Sequence, residues 1–108
     1  MALRVNAEGF DREVLQAHQP VLVEFYSDSC IPCKKMAAVL ADLEEEYEDK
    51  ICVRKVNVNY EDSLVERYRV MSSPTVILFN RGEEAKRLSG AVNKEALEGL
   101  FSDLINEK

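Results

Sequence analysis

The chain has 108 residues, 46% of them hydrophobic, which fits one small domain spanning 1–108 around a single core. Twenty acidic side chains outweigh fourteen basic ones, and the net charge of −6 argues against a nucleic-acid partner, which would favour a basic patch. No apolar run approaches the length of a bilayer-spanning helix, and no apolar leader precedes the first strand, so the expectation is a cytoplasmic protein without membrane attachment.

In chain order, a short strand at 3–5 is followed by "EGFDREVLQAH", which reads as a first helix. The segment "PVLVEFYS", residues 20–27, is apolar and β-branched enough for a strand buried on both faces. A helix follows, with Met36, Leu40, Leu43 and Tyr47 recurring at helical spacing and Val39 beside them. Its acidic end, "LEEEYEDK" at 43–50, reads as a solvated helix terminus rather than a binding tail.

The second half continues the alternation. "ICVRKVNV" at 51–58 is a strand, and a short helix around 61–69 turns Leu64, Val65 and Tyr68 inward. "TVILFN" at 75–80, a turn at Arg81-Gly82 and "EAKRLS" at 84–89 form a hairpin. Asn93 is placed to cap a last helix whose stripe is Leu97, Leu100, Phe101, Leu104 and Ile105. The predicted order is β-α-β-α-β-α-β-β-α. Strands separated by helices imply parallel crossovers and the hairpin adds antiparallel strands, giving an α/β domain with a mixed sheet covered on both faces.

The chemistry concentrates in "SDSCIPCKK", residues 27–35, where two of the three cysteines flank Ile31 and Pro32. Three readings compete. A structural zinc site needs four Cys or His ligands, and beyond Cys30 and Cys33 the chain offers Cys52 in a predicted strand and His18 in a loop. A purely structural disulfide would close a very small loop, where the entropic gain is least. A redox dithiol fits the placement. Cys30 falls where a strand gives way to a helix, and the free N–H groups and macrodipole there favour a thiolate. Pro32 suits the first helical turn, and Lys34 and Lys35 add positive charge. Cys30 is then the exposed attacking thiolate, and Cys33, one turn in, the resolving thiol.

The chain resembles the thioredoxin family over nearly its whole length, from "VLVEFYSDSCIPCKKM" through "RKVNVNYEDSLVERYRVMSSPTVILFNRGEE" to "LSGAVNKEALEGLF". The resemblance implies a thioredoxin fold, a central mixed five-stranded β-sheet flanked by four α-helices. It implies dithiol–disulfide exchange on disulfide-containing protein substrates, recycling by a thioredoxin-reductase-type enzyme, and no bound cofactor or metal. By position, Glu24 matches a buried acid that accepts the Cys33 proton; the alternative is a strand residue facing solvent. Pro74 matches a cis-proline facing the cysteines, beside which a substrate pairs with the backbone of Ser73. Lys55 matches a lysine that lowers the pKa of the buried acid, against the alternative of a solvated strand lysine. Gly90 matches the glycine that keeps the substrate groove open, a role compatible with a plain turn.

Departures from the family pattern cluster where a partner would dock. Ser29-Cys30-Ile31-Pro32-Cys33 stands where Trp-Cys-Gly-Pro-Cys is usual, and the chain has no tryptophan. Ser72 and Ser73 replace Gly and Ile before Pro74, and Ala38 replaces a helix-kinking proline, so the second helix should be straighter. Ser29, Ile31, Pro32, Ser73 and Gly90 therefore form the expected substrate groove. A thioredoxin-fold binding module or a redox protein dedicated to one partner is the alternative reading. Cys52 has no counterpart in the motif and is expected to be a buried strand thiol.

Overall fold

The computed structural model describes residues 2–105. Five strands form one sheet in the order β1-β3-β2-β4-β5: β1 (Leu3–Arg4), β2 (Val21–Tyr26), β3 (Cys52–Asn57), β4 (Thr75–Asn80) and β5 (Glu83–Ser89). Four helical segments complete the fold: a π-type segment at Asp11–Leu15, α1 (Ile31–Glu46), α2 (Asp62–Tyr68) and α3 (Lys94–Ile105). The element order matches the sequence expectation throughout. The first helix is shorter than "EGFDREVLQAH" suggested, and it is wide: Gln16 N–H bonds to Asp11 O at 2.8 Å, five residues back.

Side-chain alternation along the strands divides the core in two. Val21, Val23 and Phe25 of β2 face one way, packing with Phe10 at the cap of the π-type segment, Val14 within it and Leu64 of α2. Leu22 faces the other way with Val53, Val76 and Leu78, under Met36, Leu40 and Leu43 of α1 and Leu97, Leu100 and Phe101 of α3. The helical stripes read from the sequence are thus the buried faces. Asn93 caps α3, its Oδ1 accepting from the Ala96 N–H at 2.9 Å. Arg81 and Gly82, at φ 54° and 85°, make the two-residue turn of the terminal hairpin.

One expectation needs correcting. Not every helical connection is a parallel crossover: β1 and β2 each run parallel to β3, but β4 runs antiparallel to β2. The chain re-enters β4 at the end of the sheet where it left β3, so the connection through α2 does not run back along the sheet. That return brings residues 69–74 next to the start of α1, which assembles the site. Among the described residues, no helix is long and apolar enough to cross a membrane.

Candidate active site

Cys30 is the N-cap residue of α1, with extended backbone at φ −92° and ψ 105°. Its Sγ accepts the Cys33 N–H at 3.1 Å, so the sulfur takes the place that a Ser or Asp oxygen often fills at a helix start. Pro32 lies in the first helical turn, where its missing N–H costs nothing. The two cysteines form a disulfide, with Cα atoms 5.2 Å apart. Their exposure differs. Cys30 is half-buried, whereas Cys33 is only 2% exposed, turned under the helix onto the sheet. Ser29, Ile31 and Pro32 are exposed around the outer sulfur.

Period two puts Glu24 on the Leu22 face of β2, beneath α1. It is 2% exposed, and its Oε2 has no hydrogen-bond partner. The alternative of a solvent-facing strand residue is excluded. Burial pushes its pKa up to about 7, opposed by the Lys55 charge on the next strand. Lys55 is the register partner of Glu24 in β3, and its ammonium rests 5.4 Å from the centre of the Tyr26 ring. It tempers the shift without cancelling it. Glu24 and Cys33 line a common cavity of about 200 Å³, with Asp28, Lys34 and Lys55 on its walls.

The 69–74 segment supplies the other side. The Ser73–Pro74 peptide is cis, and Cys30 Sγ lies 3.6 Å from the Ser73 carbonyl oxygen. Ser27 Oγ and Ser73 Oγ approach to 3.4 Å, bridging the two loops. Gly90 adopts φ 87°, which favours glycine, and its N–H donates to Pro74 O at 2.7 Å. A Cβ at Gly90 would meet nothing within 4 Å, so any side chain there would project into the open space beside Pro74.

Sequence reasoning missed three residues that hold this loop. Asn57, 1% exposed at the end of β3, donates from Nδ2 to Asp28 Oδ1 at 2.8 Å. Its Oδ1 accepts the Asn59 N–H at 2.9 Å, and Asn59 Oδ1 accepts the Asp28 N–H at 3.0 Å. The only signal was "NVN" with a polar residue on the inward side of a strand end. Cys52 also differs from expectation. It is half-buried, and its Sγ donates to Gln19 Oε1 at 3.1 Å. A larger cleft, about 570 Å³, lies beside it between α1 and the start of β3, lined by Asp42, Glu45 and Glu48 and remote from the disulfide.

A mixed sheet with a helix-capping Cys-x-x-Cys pair, one sulfur outside and one inside, defines a dithiol–disulfide oxidoreductase. The family model "Thioredoxin" matches residues 1–103. The chain is 38% identical over 94 residues to a thioredoxin of Alicyclobacillus acidocaldarius, covering 87% of this chain and 90% of that one. A thioredoxin of Mycobacterium bovis is 36% identical over 103 residues, 95% of this chain and 89% of the other. A bifunctional thioredoxin reductase/thioredoxin of Mycobacterium leprae is 35% identical over 97% of this chain, which spans only 23% of that protein. The chain belongs to the thioredoxin family, and its Cys30–Cys33 pair carries thioredoxin-type dithiol–disulfide exchange on disulfide substrates.

Proposed function

We propose that the protein is a protein-disulfide reductase in which Cys30 attacks, Cys33 resolves and Glu24 takes the resolving proton. The observation that carries the assignment is the asymmetry of the pair. Cys30 reaches solvent and receives a backbone N–H, while Cys33 is buried against the cavity it shares with Glu24. The Cys30 thiolate attacks one sulfur of a substrate disulfide, forming a mixed disulfide and expelling the other sulfur as thiolate. Glu24 carboxylate then removes the Cys33 proton, directly or through water in the cavity. Cys33 attacks Cys30 Sγ, the substrate's second thiolate leaves, and two electrons have passed from the dithiol to the substrate.

Substrate chain pairs with the backbone at Ser73 beside Pro74, supported by the 3.6 Å approach of Cys30 to that carbonyl and the open space at Gly90. Ser29, Ile31 and Pro32 form the rim that the substrate crosses, and Lys55 moderates the acidity of Glu24. The protein works in the cytoplasm and is returned to the dithiol by a thioredoxin-reductase-type enzyme. Similarity to the Mycobacterium leprae protein, whose name joins both activities, supports that partner.

One observation favours narrower substrate choice: Ile31, next to Cys30 in the chain, is 68% exposed, and Met71, two residues before Ser73, is 91% exposed, apolar side chains that suit a dedicated apolar partner surface. Dithiothreitol-driven reduction of insulin disulfides decides between the readings. Fast reduction that disappears in Cys30→Ser establishes a broad reductase. No acceleration by a protein whose Cys30–Cys33 disulfide forms and reduces overturns it in favour of a dedicated partner. Replacing dithiothreitol with a thioredoxin reductase should sustain turnover; failure at that step alone removes the recycling partner and leaves the chemistry standing.

A further inference from the structure

The loop that carries Cys30 is fastened by a closed ring of three side chains. Asn57 donates to Asp28 Oδ1 at 2.8 Å, Asn59 N–H donates to Asn57 Oδ1 at 2.9 Å, and Asp28 N–H donates to Asn59 Oδ1 at 3.0 Å. Asn57 is buried to 1% exposure, so its amide is committed to this ring, where an unpaired amide would be costly. The ring ties the β2–α1 loop to the segment after β3, two residues before the outer cysteine. No other part of that loop is bonded to β3 or its following loop by a side chain among the described residues.

What the ring fixes is the setting of one sulfur. Cys30 Sγ sits between a donor, the Cys33 N–H at 3.1 Å, and an acceptor, the Ser73 carbonyl at 3.6 Å. The donor stabilises a thiolate, and a carbonyl oxygen facing the sulfur opposes it. A loop free to shift by a few tenths of an ångström would change that balance. We propose that the Asp28–Asn57–Asn59 ring is a positioning device for the exchange reaction, holding the Cys30 sulfur against the Cys33 amide so that it reacts as a thiolate. This rests on Cys30 being the attacking thiol. Charged groups lining the cavity beside Cys33 are Asp28 on the loop, Lys34 on α1, Glu24 on β2 and Lys55 on β3.

Geometry and charge separate cleanly in four variants. Asp28→Ala and Asn59→Ala each break the ring. Asp28→Asn and Asn59→Asp each keep the accepting oxygen while changing the local charge in opposite directions. The readout is the pH profile of iodoacetamide alkylation at Cys30 in the reduced protein, followed by peptide mass, with thermal unfolding measured alongside. This needs no disulfide substrate, so it stands apart from the insulin assay. The expected result is that both alanine variants move the profile to higher pH, with roughly threefold less thiolate at neutral pH, while Asp28→Asn and Asn59→Asp follow the wild type. Alanine variants that unfold earlier but keep the wild-type profile would show a purely structural ring and overturn the proposal. Opposite displacements in Asp28→Asn and Asn59→Asp would show that charge, not position, sets the sulfur, and overturn it as well.

Discussion

Cys30 and Cys52 are both partly exposed thiol positions next to β-strands, yet their surroundings make them opposites. Cys30 caps a helix and accepts a hydrogen bond from the Cys33 N–H, with Cys33 as a covalent partner one turn away. Cys52 begins β3 at the far end of the sheet and donates its own hydrogen bond to Gln19. One sulfur is placed to carry negative charge and to be attacked by its neighbour. The other is a donor beside an acidic cleft, with no second cysteine near it in the described residues. Reactivity here follows from the acceptor or donor role that the backbone and neighbours impose, not from exposure alone.

That contrast can be broken most severely at the pair itself. Cys30→Ser should abolish insulin reduction, whereas Cys52→Ala should leave the rate at the wild-type level, both read from the same dithiothreitol-driven assay. Equal losses in the two variants would erase the distinction. Glu24→Gln comes next. Removing a positioned base typically costs on the order of 100-fold in the proton-transfer step, so release of substrate from the mixed disulfide should become limiting. In the wild type that step should accelerate as pH rises through about 7, where Glu24 ionises; in Glu24→Gln the rise should vanish. Stopped-flow rates of mixed-disulfide resolution from pH 5 to 9 test it.

The same residue has a stability signature of opposite sign. Because the folded protein holds the Glu24 proton up to about pH 7 against an ordinary 4.5, folding takes up a proton between those values. Stability is fully retained below 4.5 and declines as pH rises to about 7, by on the order of 3 kcal/mol at most. Denaturant unfolding at pH 5 and pH 8 should show this decline in the wild type and not in Glu24→Gln. A wild-type curve no steeper than the variant's would mean that the acid is not held neutral by burial. The smallest effect belongs to the rim: Ile31→Gly should raise KM for protein substrates by about fivefold with kcat nearly unchanged, since the Ile31 side chain is exposed.

Local pattern made most of this legible in the sequence. Strand alternation, the α1 and α3 stripes and the Asn93 cap are contacts within a few residues, and each appears where periodicity placed it. Cys30 at a helix start follows from strand, proline and lysines in one short stretch. Burial of Glu24 follows from its apolar neighbours together with the face that Leu22 occupies. What escaped depends on pairing between distant segments. The antiparallel entry of β4 is a matter of its pairing with β2 and β5, and the Asp28–Asn57–Asn59 ring joins residues about thirty apart with no periodic signature. Lys55 could be placed beside Glu24 only once β2 and β3 were in register; its lean over Tyr26 is a matter of side-chain packing.

Attack by the outer sulfur and resolution by the inner one can be read directly by covalent trapping. Reduced Cys33→Ser and Cys30→Ser proteins would each be mixed with a disulfide substrate and the adducts mapped by mass. A stable mixed disulfide is expected at Cys30 in Cys33→Ser, with no adduct at Cys33 in Cys30→Ser. Efficient trapping at Cys33, with Cys30 left unmodified in Cys33→Ser, would contradict it.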